Sequence, residues 1–388
     1  MNNSLRKNIG IIVNFSPQSW LGGINYYINF NNLLDKKKFK LTVFCGSNEK
    51  YFCLQNFKES NIVVTEHFKY PKKYLGALTK IKILFFGKDN SLIYYLKENK
   101  IDILFGYYLG RHSEILSIPI IWDFQELINP KNFSLKEIIL RKFNNFMCAY
   151  NSKKVFLSTK SDQLTFNRIY NKNEKSSSIY INMPQNLNNF KLMSQTKILK
   201  KFKIDKNYFI LPNHYWKHKN HLLVLKALKN IPKNKLKNIL IVSTGNNKDW
   251  RHEKNFQIIN KYIQENNLSS NYKILGIVSE NHLLNLVYHS IALINPSKSE
   301  GESGSVEMAK VFQKFTLLSN LDVHKDQKSN GSIFFGVNDF IKLRNSILMV
   351  KKKYRSNSKN SIKKCLKIHN KYIQQQKLKF TNLFLNTY

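Results

Sequence analysis

Acidic residues are scarce in this chain, cysteines scarcer still, and no apolar run is long. Against 63 Lys and Arg stand only 24 Asp and Glu, a formal net charge of +39 over 388 residues. The four cysteines, Cys45, Cys53, Cys148 and Cys365, lie far apart and form no CxxC pair. That excludes a zinc ribbon or a disulfide framework and makes a reducing cytoplasm the expected compartment. No apolar stretch approaches the roughly 20 residues that span a bilayer, and the amino terminus MNNSLRKNIG has no signal-peptide core. The expected location is the cytoplasm, at most on the inner face of the membrane. Zinc fingers, an RRM signature and a basic helix with heptads are also missing, so no nucleic-acid partner is expected despite the charge.

The charge itself has two readings. Lysine and asparagine recur along the whole chain, as a coding bias that fills solvated positions would produce. A sharper reading attaches to His67 to Lys88, where Lys69, Lys72, Lys73, Lys80 and Lys82 interleave with Phe68, Tyr70, Tyr74, Leu75 and Phe85. Lysines over headgroups and rings at the acyl boundary suit an anionic membrane surface.

The length fits two domains, and 42% apolar residues supply two cores. Short apolar runs at Ile9 to Phe15, Leu41 to Cys45, Ile101 to Phe105, Ile118 to Trp122 and Val155 to Leu157 alternate with helix-length segments such as Gly23 to Leu34 and Leu92 to Asn99. The rhythm restarts at Tyr208 to Leu211, Ile239 to Ser243, Tyr272 to Leu275, Ile291 to Ile294, Phe315 to Leu318 and Ile333 to Phe335. Buried strands alternating with helices predict an α/β chain of two doubly wound, Rossmann-like parallel-sheet domains. We place them at residues 1–190 and 206–355, with a polar linker over 191–205 inside the longer polar interval Asn171 to Asp205. Residues 356–388 form a helical segment that crosses back to the first domain. Ligands of open parallel sheets bind beyond the carboxyl ends of the strands.

Three segments carry candidate chemistry. NHYWKHKNH, Asn213 to His221, follows one predicted strand and opens a helix. Its three histidines, His214, His218 and His221, would share a helix face, but the segment lies at a strand-to-helix turn, so no metal is expected. Lys219 beside a helix amino terminus is placed to neutralise a diphosphate. Pro296 to Gln327, PSKSEGESGSVEMAKVFQKFTLLSNLDVHKDQ, is a loop, helix and strand that aims N–H groups and carboxylates at a polyhydroxylated, phosphorylated ligand. Gly22 and Gly23 precede a helix expected to begin near Ile24, where backbone can approach a phosphate closely.

Together PNHYWKHKNH, PSKSEGESGSVEMAK and SNLDVHKDQ resemble the carboxy-terminal domain of family 4 glycosyltransferases, retaining enzymes of the GT-B fold. LGGINYYI, IPIIWDFQELINPKNFS and LSTKSDQLTFNRIY agree, the last two resembling the branch that acts in bacterial polysaccharide and lipopolysaccharide assembly. The resemblance implies a nucleoside diphosphate sugar as donor, a glycan or lipid-linked glycan as acceptor, and no cofactor or metal. It makes Lys219 the diphosphate lysine, with His214 where the family often has an arginine, a weaker and pH-dependent second cation. Gly22 and Gly23 would line the cleft opposite Lys219. Glu300, with the turn Gly301, Glu302 and Ser303, would bind the donor sugar. The second family acid, on the ribose, falls at Met308; Glu307 lies one residue early, and a one-residue step turns a helical side chain by about 100°. Glu126 stands where relatives place a histidine near the reacting carbon, so with Lys219 and Glu300 it is a candidate catalytic group. A GT-B epimerase or phosphorylase is the alternative on the same architecture, and a basic nucleic-acid-binding protein a remoter one.

Overall fold

The computed structural model describes residues 6–14, 17–65, 82–83, 85–128, 130–178, 187, 190–249, 252–354 and 359–387. Most of the His67 to Lys88 cluster lies outside them. The chain divides into two compact units, Met1–Gln185 with Tyr372–Tyr388, and Asn186–Lys371.

In the first unit seven strands form one parallel sheet: β1 (Lys7–Val13), β2 (Phe39–Cys45), β3 (Asn61–Val64), β4 (Ile103–Gly106), β5 (Leu116–Ile121), β6 (Val155–Leu157) and β7 (Ser176–Ser178), in the order β3-β2-β1-β4-β5-β6-β7. The helices are α1 (Pro17–Leu33), α2 (Lys50–Asn56), α3 (Asn90–Glu98), α4 (Gln125–Ile128), α5 (Leu135–Asn151) and α6 (Lys160–Tyr170). β1 and β2 are buried along nearly their whole length, as strands covered on both faces must be. Local chemistry sets the helix starts: the Asp89 carboxylate accepts from the N–H groups of Ser91 and Leu92, and Ser134 and Glu137 close a capping box. The sequence reading missed β3 and β7. β3 is a short edge strand, and β7 is three serines with no apolar run to signal it.

Helix α1 corrects one expectation. It begins at Pro17, whose missing N–H costs nothing in a first turn, so Gly22 and Gly23 sit inside the helix rather than before it. Their N–H groups belong to the helical ladder and are not those of a helix terminus.

The second unit holds six parallel strands, β8 (Phe209–Pro212), β9 (Ile241–Thr244), β10 (Tyr272–Ile274), β11 (Ala292–Asn295), β12 (Phe315–Ser319) and β13 (Ser332–Phe335), ordered β10-β9-β8-β11-β12-β13. Around them run α7 (Gln195–Lys201), α8 (His221–Lys229), α9 (Lys233–Leu236), α10 (Asn255–Glu265), α11 (Glu280–His289), α12 (Gly304–Val311), α13 (Asp322–Asp326), α14 (Phe340–Lys353) and α15 (Lys359–Leu385). The expected linker 191–205 is part of this unit. Ser194 caps α7, and Ile198 is fully buried with Tyr208, Leu240 and Leu286. The last helix starts among second-unit residues, with Ile362 against that same core. Its later residues, Phe380 and Phe384, pack among Phe30, Phe105 and Phe156 of the first unit.

Candidate functional site

The strand order of the second unit reverses between β8 and β11, and the loops that leave these two strands carry the residues of interest. After β8 the chain makes a short 3-10 turn, Lys217–Lys219. It then passes through Asn220 in the left-handed conformation, φ 57°, to enter α8. The Asn220 side chain donates to Pro296 O at 3.0 Å and to Val337 O at 2.9 Å, tying this turn to the loops after β11 and β13. The Lys298 N–H donates to His218 O at 2.7 Å. Gly245, after β9, has φ +129°, and a Cβ there would stand 2.6 Å from Asn213 O and 2.8 Å from His214 N. Only glycine admits this approach without strain.

These ties bring Lys219 onto Glu300, 81 residues away: Nζ lies 2.7 Å from both carboxylate oxygens, and the pair is nearly buried. Burial pushes the Glu300 carboxyl up, but Lys219, followed by His324 and His218, outweighs it and holds the group down at about 2. Glu300 is therefore ionised throughout the physiological range. Asn295, the last residue of β11, organises the loop: its Nδ2 donates to Ser303 Oγ at 2.7 Å, and its Oδ1 accepts from Asn213 Nδ2 at 3.1 Å. Ser297 Oγ lies 2.7 Å from both Asn295 Oδ1 and Glu300 Oε1.

His214 differs from the pH-dependent cation expected of it. Its Nδ1 accepts the Asn246 N–H at 2.8 Å, and burial, then Lys219, lowers its pKa. It is a neutral imidazole whose remaining proton is on Nε2, a donor without a charge. His221 turns inward: Nδ1 is 2.7 Å from the Tyr272 hydroxyl, Nε2 is 3.0 Å from His214 O, and the ring stacks on Tyr215. Burial pushes it down to about 4. Among the described residues no group of three or more His, Cys, Asp or Glu could hold a metal ion.

Glu307 and Met308 part company as their helical step requires. Met308 packs against the apolar cluster of Val306, Ala309 and Phe312, whereas Glu307 is fully buried on another side of α12. Its Oε1 accepts from Gln327 Nε2 at 2.8 Å and from Lys310 Nζ at 2.9 Å; Oε2 is buried and makes no hydrogen bond among the described residues. Gln327 also clamps the backbone of Ser303, accepting from its N–H at 3.0 Å and donating to its carbonyl at 3.1 Å. The Ser303 N–H is thus already engaged, while Gly301 and Glu302 are half-buried in the turn before α12. His324, fully buried, donates from Nδ1 to Ser319 O at 2.9 Å, and burial lowers its pKa against the pull of Glu300.

Asn295, Ser297, Gln327 and His324 were given no role by the sequence reading. A polar residue closing an apolar strand run, as Asn295 closes IALIN, was the available signal.

In the first unit Glu126 lies on α4, buried, with Oε2 accepting from Arg141 Nε at 2.8 Å; the same guanidinium holds the Asp123 carboxylate. Burial works against the Arg141 charge, but Asp123 and Glu126 raise its pKa. Glu126 is thus one arm of an ion-paired triad and not an isolated acid.

Residues 194–364, less than half of the chain, match the family model described as glycosyl transferases group 1. The fold resembles solved structures along almost the whole length. HepE from Anabaena, in complex with UDP and glucose, aligns with a TM-score of 0.70 at 13% identity, covering 97% of this chain and 100% of that one. Sucrose-phosphate synthase from Thermosynechococcus elongatus gives 0.71 at 12%, covering 99% and 100%. WaaG, a glycosyltransferase involved in lipopolysaccharide biosynthesis, gives 0.61 at 13%, covering 97% and 99%. No curated protein matches the sequence. At such identities the structures establish the GT-B fold. The glycosyl transferases group 1 domain, with that fold, supports a glycosyltransferase.

Proposed function

We propose that this chain is a retaining glycosyltransferase of family 4, of the hexosyl-transferring type. It moves a sugar from a nucleoside diphosphate sugar to a glycan or lipid-linked acceptor in cell-surface polysaccharide or lipopolysaccharide assembly, at the cytoplasmic face of the membrane. The observation that carries the proposal is Lys219 Nζ at 2.7 Å from both oxygens of Glu300, at the switch point of the second sheet. UDP and UDP-glucose occupy structures of HepE, which has the same fold, and a uridine nucleotide is our first candidate donor.

An ammonium has three N–H donors, and two of them serve Glu300. In the proposal the third, with His214 Nε2–H, meets the donor's diphosphate. Glu300, kept ionised, accepts hydrogen bonds from the sugar hydroxyls beside Gly301 and Glu302, and Glu307 accepts from the ribose diol. The bond from the anomeric carbon to the diphosphate oxygen breaks, the acceptor oxygen bonds the same face of that carbon, and the acceptor proton passes to the departing diphosphate. Fixed donors aimed where charge develops stabilise that departure without reorganising. Glu126, held by Arg141 through one oxygen, is assigned to a sugar hydroxyl or to oxocarbenium character through the other.

The test is a thermal-shift screen of UDP, GDP and their sugars against wild type and Lys219→Ala. A nucleotide that raises the wild-type melting temperature and loses that effect in the variant is the expected result. No stabilisation of the wild type, or equal stabilisation of both, refutes the proposal. Release of free nucleotide only when an acceptor glycan is present separates transfer from epimerisation.

A further inference from the structure

The second unit has a cleft that the proposed chemistry does not use. It encloses about 970 Å³ and opens where the chain enters β8 and β9, beside the last two turns of α14. Lys219 and Glu300 lie in loops that leave the carboxyl ends of β8 and β11, so the cleft is at the other end of the sheet. Its volume suits a small molecule, whose sites measure roughly 300–1,000 Å³. Cations dominate the lining: Lys206, Lys235, Lys351 and Lys352 against one acid, Asp205. Lys206 is held by its Nζ, which donates to Lys237 O at 3.1 Å. Lys351 is half-buried, and burial, then Lys206, lowers its pKa with no acid to offset them. The same walls carry Leu199, Ile239, Leu348 and Met349, and Met349 is 40% exposed. Coding bias toward lysine fills solvated positions, and lysines at the end of α14 suit its carbonyl end from solvent. Neither accounts for Lys351 drawn inward against Lys206.

We infer that this cleft binds a nucleotide-sized oligophosphate, with its phosphates on Lys206 and Lys351 and its uncharged body on the aliphatic wall. An anion between the two ammonium groups turns their repulsion into attraction. Lys206 keeps two N–H donors beyond the one given to Lys237 O, and Lys351 carries three, all suited to phosphate oxygens. Lys352 and Lys235, both exposed, extend the cationic wall, so a chain of phosphates fits it better than a single one. The aliphatic wall favours a ligand with a ring or carbon body over a bare inorganic anion. This site lies at the far end of the sheet from Lys219 and does not rest on the sugar-transfer reading.

The test is titration calorimetry of the full chain with ATP and with inorganic triphosphate, in about 0.15 M salt, where the diffuse field of the +39 charge is screened. ATP is expected to bind wild type and Lys219→Ala alike, and more tightly than triphosphate does. Lys206→Gln/Lys351→Gln is expected to weaken ATP binding roughly tenfold or more. Lys226→Gln/Lys342→Gln removes as much charge from exposed positions outside the cleft and should leave that binding unchanged. In the wild type, ATP should slow amide hydrogen exchange in residues 205–207, 235–239 and 348–352, a readout that needs no variant to fold. The inference is overturned by any of four results: no ATP binding; equal loss in the two double variants; triphosphate binding as tightly as ATP; or protection that falls on the Lys219 loop instead. Each of these leaves UDP binding through Lys219 to be decided separately, so the two readings fail independently.

Discussion

Removing Lys219 should cost more than a surface lysine can. The Glu300 carboxyl is held at about 2 against an ordinary 4.5. At 1.36 kcal/mol per unit that is roughly 3 kcal/mol in favour of the charged form, left over after burial has acted the other way. Lys219→Ala leaves the carboxylate buried beside Asn295 and Ser297 with no counter-charge, so we expect about 3 kcal/mol of destabilisation at neutral pH. Glu300→Gln should cost less, because Lys219 retains some access to water. The double variant removes both charges and should cost less than the sum, with a coupling of about 2 kcal/mol. The assay is urea unfolding followed by tryptophan fluorescence, fitted with separate transitions for the two units. Acid supplies a second arm. A carboxyl whose pKa is depressed on folding stabilises the protein above its unfolded value of 4.5, and that contribution is lost as pH falls toward about 2. The gap between wild type and Lys219→Ala should therefore close across that window. A coupling below about 0.5 kcal/mol, or a gap that stays constant into acid, would refute the pairing as described.

Three further outcomes follow from the same site. His221, pushed down to about 4 from 6.5, makes stability fall as pH drops from 6.5 toward 4. His221→Asn should remove up to one proton, about 1.4 kcal/mol per pH unit, from that slope in a pH series of unfolding curves. Gly245→Ala places a methyl 2.6 Å from Asn213 O at a positive φ. It should lower stability by about 2 kcal/mol and weaken nucleotide binding by shifting His214, as melting curves with and without UDP would record. Glu307→Gln keeps an oxygen for Gln327 but loses the charge. If Glu307 serves the ribose, titration calorimetry should show weaker UDP binding and unchanged binding of inorganic diphosphate; equal weakening of both would place Glu307 elsewhere.

Much of the architecture was legible because parallel strands buried on both faces must be continuous apolar runs, and eleven of the predicted runs lie on strands of the two sheets. What escaped had no such mark: β7 is all serine, and α7 looked like linker because its surface is basic while one buried side chain, Ile198, anchors it. Gly22 and Gly23 were read as preceding a helix that begins near Ile24, yet α1 runs through both.

For the site, the sequence by itself determined which groups are present and which loops carry them: Lys219 after one strand, Glu300 after another, an acid one residue short of Met308. Only the tertiary structure decided their states. Strand order sets β8 beside β11, so residues 81 positions apart meet as a buried pair in which Lys219 keeps Glu300 ionised. Packing of Met308 into the apolar cluster turns Glu307 onto Gln327, and burial, then Lys219, lowers the pKa of His214, whose Nδ1 accepts from the Asn246 N–H. Charge and hydrogen-bond state depend on burial and on the nearest partner, and neither is a local property of the chain.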